Sequence, residues 1–224
     1  MRDLSELIDE QKPAWPMLQQ WFSQAKNRVE VLPASDPART QSLLETQVTT
    51  RSPLGAVVYE TGGLLVDHGW IRILGSGHLQ LPRSLPEWNL GRTRTKSGEV
   101  PGFLLVADDV LGGFFAINGG ALGEDSGNVY YFAPDTLKWE NLERSYTEFL
   151  DFCLNGDLQK YYEGCRWSGW ETEVAALTGD RAFSIYPMLF AEGPDISERD
   201  RISVPLAELY DLYLGNIRNE GVSR

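Results

Sequence analysis

Apolar residues recur along this chain first at helical spacing, then at strand spacing, then at helical spacing again. Leu4, Leu7 and Ile8 make one amphipathic turn, and Leu18, Trp21, Phe22 and Ala25 make a second helical face after Pro13 and Pro16. Asp36 ahead of Pro37 predicts an N-cap and a first-turn proline for a helix carrying Leu43, Leu44 and Gln47. Ser52-Pro53 repeats that signal for a helix with Leu54, Val57 and Val58, which Gly62-Gly63 is expected to stop. Leu64-Leu65-Val66 and Trp70-Ile71-Arg72-Ile73 then flank Asp67-His68-Gly69, a predicted hairpin with glycine in the left-handed position. Ser84 and Glu87 make a capping box for a brief turn, and the basic segment from Arg92 to Gly98 reads as an exposed loop.

The stretch from Pro101 to Leu154 is the most informative. Phe103 to Ala107 runs into the turn Asp108-Asp109-Val110-Leu111-Gly112-Gly113, then Phe114 to Asn118, a loop to Gly127, and Asn128 to Phe132. A weaker strand over Leu137 to Leu142 follows, and Ser145 with Glu148 caps a helix ending near Gly156. Beyond it come short helices over Leu158–Tyr162 and Trp170–Leu177. An apolar strand from Ala182 to Phe190 is interrupted by Pro187, a short strand covers Ile202–Val204, and a last helix has Leu206, Leu209, Tyr210 and Tyr213 on one face before Gly215. Helices, a run of strands, then helices again is the order of an α+β fold, read here as one domain over residues 1–224.

Composition narrows the function classes. Of 224 residues, 42% are hydrophobic and 11% aromatic, enough for a substantial core. Acidic residues outnumber basic ones, 32 to 20, for a formal charge of −12, which disfavours direct contact with nucleic acid or an anionic membrane and makes a basic protein the natural partner. Solubility alone is also a sufficient reason for such a surface. The acidic start has no apolar run behind it and no segment reaches membrane-spanning length, so the expected location is the cytoplasm. Cys153 and Cys165 have no CxxC spacing and read as reduced, inert thiols.

His68 and His78 sit beside glycines without a second ligand at metal spacing, and no nucleophile elbow, phosphate loop or dinucleotide fingerprint occurs, so no metal, cofactor or enzymatic activity is expected. Two acidic pairs, Asp108-Asp109 and Glu124-Asp125, fall in loops beside strands, where their carboxylates could project together. Solvated turn residues, a partner-binding patch and acid–base catalysis on a carbohydrate all remain open for them. Trp167 and Trp170, separated only by Ser168-Gly169, are hard to bury completely and offer a second candidate surface beside ordinary core packing.

The order of the Ser52-Pro53 helix, Thr61-Gly62-Gly63-Leu64, Pro101 to Asp109, Gly112 to Ile117, Gly127 to Phe132 and Ser145 to Leu150 resembles the SUKH superfamily over roughly residues 50–155. The whole chain, especially Gly62 to Trp70 and Ile73 to Gly77, looks like a bacterial family of unknown function with that core. The resemblance implies a SUKH-like central sheet with N-terminal helices, elaborated by a C-terminal helical extension over about 156–224. It also implies a non-enzymatic binder. SUKH proteins are chiefly immunity proteins that neutralise toxins, often nucleases, and fungal relatives act as interaction scaffolds. A basic toxin would suit this acidic chain, with Asp108, Asp109, Glu124, Asp125, Trp167 and Trp170 as the expected partner-binding residues. A general interaction scaffold and a carbohydrate-active enzyme are the alternatives.

Overall fold

The computed structural model describes residues 1–220, so the last four residues of the expected 1–224 unit lie outside the described residues. Helices α1 (Leu4–Leu7) and α2 (Trp15–Gln24) lead into strand β1 (Val29–Pro33), and helices α3 (Ala38–Thr46) and α4 (Pro53–Glu60) follow. Strands β2 (Thr61–Val66) and β3 (Ile71–Leu74) precede helix α5 (Leu85–Asn89). Next come β4 (Phe103–Asp109), β5 (Phe114–Asn118), β6 (Asn128–Ala133) and β7 (Lys138–Ser145). Helices α6 (Tyr146–Asn155), α7 (Leu158–Tyr161) and α8 (Trp170–Ala175), the pair β8 (Arg181–Tyr186) and β9 (Asp200–Pro205), and helix α9 (Leu206–Glu220) complete the described chain. Among the described residues β1 to β7 form one antiparallel sheet in sequence order, and β8 pairs only with β9. The fold is α+β, with a large antiparallel sheet and several helices.

Local chemistry explains most boundaries. Ser84 and Ser145 each accept from the backbone N–H three residues on, while Glu87 and Glu148 reach back to the cap, so both capping boxes form as expected. Ser52 caps α4 through the N–H of Gly55. That helix ends before the glycines: Thr61 is already extended and donates its hydroxyl to the Val57 carbonyl at 2.7 Å, and Gly62 and Gly63 belong to β2. Nor does Asp36 cap α3, which begins after Pro37. The Asp36 carboxylate accepts instead from the Thr40 hydroxyl at 3.3 Å. At the β2–β3 turn Asp67 and His68 share the left-handed conformation with Gly69. The segment expected to be an exposed loop after Arg92 is tied down. Arg94 is buried and donates to the carbonyls of Glu45 (2.8 Å) and Pro86 (3.0 Å), and Arg92 lies 3.8 Å over the Trp88 ring.

Side chains alternate across a strand, so β5 and β6 present aromatic residues to both sides of the sheet. On one face Phe115 and Tyr131 meet Phe149 of α6 and Tyr161 of α7, with centroids 4.9 Å apart for Phe115–Phe149 and 6.0 Å for Tyr131–Tyr161. On the other, Phe114 meets Tyr210 at 5.2 Å and Phe132 stacks on Tyr213 at 6.3 Å. Leu206, Leu209, Tyr210 and Tyr213 are all buried, the face expected for the last helix, although α9 runs through Gly215 to Glu220. Leu209→Ala should therefore lower global stability by about 2–5 kcal/mol, the usual cost of a buried leucine truncated to alanine. Urea unfolding measures it, and an unchanged midpoint would mean that α9 does not unfold with the sheet.

Candidate functional site

Strand β4 ends in two adjacent carboxylates, and strand alternation sends them to opposite faces of the sheet. Asp108 is fully buried. It accepts from Arg72 Nε at 2.6 Å and from Arg83 Nη1 at 2.8 Å, and Arg72 stands directly opposite it in the β3–β4 register. Both guanidiniums reach further: Arg72 donates to the carbonyls of Asp109 (2.8 Å) and Arg181, and Arg83 to that of Gly179 (2.5 Å through Nη2). Burial lowers the pKa of Arg83 from its ordinary value, and the charge of Asp108 acts against that shift.

Asp109, also fully buried, is held by four hydrogen bonds. Its Oδ1 accepts from the N–H groups of Leu111 and Gly113, both at 2.9 Å, and its Oδ2 from the hydroxyls of Tyr131 (2.7 Å) and Tyr162 (3.2 Å). Position 113 has to be glycine, because a Cβ there would lie 2.4 Å from the Tyr131 hydroxyl and 2.5 Å from Asp109 Oδ2. Burial raises the Asp109 pKa and the hydrogen bonds oppose the rise. Tyr131 and Tyr162 titrate well above the usual phenol range, through burial first and the nearby carboxylate second.

Asp108 and Asp109 thus do not join Glu124 and Asp125 in a solvent-facing patch, since both carboxylates are consumed by partners inside the protein. Glu124 and Asp125 are exposed. Asp125 Oδ2 accepts from Asn141 Nδ2 at 2.9 Å and from the Tyr130 hydroxyl at 3.4 Å. Trp167 is buried rather than displayed, packed 5.8 Å from Trp70 and 5.3 Å from Phe183, with Nε1 donating to Glu173 at 2.9 Å. Trp170 is half-buried against Trp70 at 5.0 Å, and Arg166, ion-paired to Asp67 at 2.5 Å, covers its ring at 4.3 Å. An open groove of about 730 Å³ runs past Arg166 and Trp170, with Asp157, Lys160, Glu163 and Glu171 along it.

The chain matches, over residues 4–209, the family described as "Protein of unknown function DUF2625". It belongs to the DUF2625 family. Similar proteins are the "Putative uncharacterized protein YbfG" of Escherichia coli (strain K12), 46% identical over 214 residues and 95% of each chain, and an "Uncharacterized protein" of Haemophilus influenzae. The latter is 46% identical over 189 residues, covering 84% of this chain and 83% of that protein. No solved structure matches it.

In this DUF2625 protein the groups that organise the site come from far apart in sequence. Arg72, Arg83, Tyr131, Tyr162 and Arg166 were not singled out from the sequence, and only an arginine inside the apolar strand Ile71 to Leu74 signalled one of them. Among the described residues no group of three or more His, Cys, Asp and Glu side chains is placed to hold a metal ion. Both cysteines are free. Burial pushes up the Cys153 thiol, and the half-buried Cys165 thiol is pushed up to about 11 by burial and by Asp109. His68 and His78 both lie in turn regions, half-buried, His68 edge-on to Trp170 at 5.7 Å.

Two substitutions separate the two carboxylates. Asp108→Ala leaves two buried guanidiniums without their anion and should destabilise the protein by about 3–5 kcal/mol, the usual cost of breaking a buried pair. Asp109→Asn keeps an acceptor for Leu111 and Gly113 and an amide to donate to the tyrosine hydroxyls, so it mainly removes the titration. Because the folded pKa of Asp109 is raised above 3.8, the folded state binds the proton more tightly than the unfolded chain. Wild-type stability relative to Asp109→Asn is therefore highest below 3.8 and falls as pH rises through the raised value. Urea unfolding of both proteins across pH 3.5 to 8 checks this, and a constant difference would mean that burial does not perturb Asp109.

Proposed function

We propose that this protein is a non-enzymatic binding module for a basic protein partner, with Glu124 and Asp125 in its recognition surface. One observation supports this reading above the others. The ionisable side chains buried in the core, Arg72, Arg83, Arg94, Asp108 and Asp109, have a formal sum of +1, so the rest of the chain carries a formal −13 against the total of −12. Such a surface steers a basic partner during encounter and rejects acidic ones. Asp125, exposed yet held by Asn141 and Tyr130, loses less freedom on binding than an unanchored carboxylate would.

The finer reading is a SUKH-like immunity protein that neutralises a basic, nuclease-type toxin. It draws on the order of a glycine-paired strand, an acidic-glycine turn, an aromatic strand and a serine-capped helix, together with the surface charge. A general scaffold would share the surface but bind several unrelated partners. For a glycosidase, Asp108 and Asp109 are poorly placed, since catalytic carboxyls must flank one sugar and these two are buried on opposite faces.

Affinity capture from the bacterium that encodes the protein, followed by binding kinetics with the captured partner, tests the proposal. The Glu124→Lys, Asp125→Lys variant should associate about tenfold more slowly at low salt, and its rate should depend less on ionic strength, because steering fades as the screening length falls to about 10 Å at 0.1 M. A captured partner of acidic charge, or a wild-type rate in this variant at low salt, would overturn the role of this surface.

A further inference from the structure

A cleft of about 190 Å³ opens between β6, β7, α7 and the segment around Leu189. Drug-sized ligands occupy about 300–1,000 Å³, so this space suits one long side chain better than a whole small molecule. Three phenol rings line it. Tyr131 and Tyr161 stand 6.0 Å apart at an interplanar angle of 62°, and Tyr161 and Tyr162 4.9 Å apart at 88°, so the rings are set in different orientations. Asp135 and Glu140, both exposed, also line the opening, and Glu140 is steadied by the Thr136 hydroxyl at 3.1 Å. Among the described residues no lysine or arginine lines it, and the nearest guanidinium on one of its rings is that of Arg166, 5.5 Å from the Tyr162 centroid and ion-paired to Asp67.

The charge behind the rings matters as much as the rings. The hydroxyls of Tyr131 and Tyr162 donate to buried Asp109, and donation to a carboxylate polarises a phenol so that its ring becomes more electron-rich. A cation beside such rings is attracted to their faces, and more strongly where water is partly excluded. We propose that this cleft is an aromatic cage for the guanidinium of one arginine side chain presented by a protein partner. The inference rests on the reading of a basic protein partner and names the group that the partner inserts. A guanidinium is flat, stacks on aromatic faces and carries five N–H donors, which Asp135 and Glu140 are placed to accept. A fully methylated ammonium would leave both carboxylates without a donor. A peptide carrying the arginine would keep its backbone outside, as the small volume requires.

Titration of the isotopically labelled full-length protein with Nα-acetyl-arginine amide, followed by NMR, tests the cage without needing the partner. Saturable shifts are expected at the amides of Ala133, Tyr162 and Cys165, and none with the neutral citrulline analogue. The Asp135→Asn, Glu140→Gln variant alters only exposed side chains and should bind roughly threefold to tenfold more weakly, the range expected for two exposed charge pairs. Tyr161→Ala, whose hydroxyl is not an Asp109 partner, should weaken binding further. Equal binding of the citrulline analogue, tighter binding of tetramethylammonium or of free arginine, or no saturable shift in the cleft would each overturn the proposal. A null titration with charge-dependent partner binding intact removes the cage alone. A positive titration with an acidic captured partner removes the basic-partner reading and leaves a guanidinium site that the captured protein does not use.

Discussion

Two adjacent carboxylates at the buried end of β4 set the terms for the rest of the molecule. An ionised group taken out of water costs several kcal/mol unless it is paired and hydrogen-bonded, and here two such groups leave the backbone at successive residues on opposite sides of a sheet. Each face must supply its own compensation. On one side Arg72 and Arg83 neutralise Asp108 and pass their remaining donors to the carbonyls of Arg181 and Gly179. On the other, the tight turn through Gly113 and the hydroxyls of Tyr131 and Tyr162 surround Asp109. Partners thus come from β3, the segment before α5, β6, the end of α7 and the start of β8. The segment after Gly156 is bound to the sheet by buried charge as well as by apolar contact.

This arrangement explains the tryptophan cluster. Arg166 lies between the Asp67 carboxylate and the rings of Trp70 and Trp170, so the β2–β3 turn, left-handed at three consecutive residues, is clasped by the segment before α8. Trp70 fills the space between that turn and Trp167, whose other neighbour is Phe183 of β8. Aromatic packing and the ion pairs therefore fasten the same two parts of the chain from adjacent positions. Buried aromatic pairs are worth about 0.5–1.5 kcal/mol beyond their area, smaller singly than the cost of orphaning Arg72 or Arg83.

Features set by neighbours along the chain were legible in the sequence; those set by distant partners were not. Ser84 with Glu87 and Ser145 with Glu148 lie three residues apart, and each box formed because its chemistry is complete within one turn. The face of Leu206, Leu209, Tyr210 and Tyr213 was visible for the same reason. Strand β1 was not, since Val29 to Pro33 is short and acquires its state only by pairing with β2. The acidic turn was misread more deeply. Aspartate beside glycine looks like solvent, and the side chains that make burial tolerable lie far off in sequence, Arg83 25 residues from Asp108 and Tyr162 53 residues from Asp109 among them. The strand read over Phe103 to Ala107 in fact runs on through Asp108 and Asp109, and it is this extension that sends the two carboxylates to opposite faces and excludes a joint patch.

The same tyrosines tie the cleft to the core. Tyr131 and Tyr162 satisfy Asp109 with their hydroxyls and line the cleft with their rings, so the pocket cannot be reshaped there without disturbing a buried carboxylate. Asp135 and Glu140 are exposed and can vary at far lower cost to the fold, whereas half-buried Tyr161 makes no hydrogen bond to Asp109 but packs against Tyr131, Phe152 and Tyr162. Rigidity in the shared walls and freedom at the rim is the division expected of a recognition site, where a rigid base limits the entropy lost on binding and the rim sets which partner is accepted. The buried charge network and the acidic exterior then have separate physical tasks. The first holds the chain together through charges that nearly cancel, and the second carries the net negative charge on which the proposed basic partner would be steered.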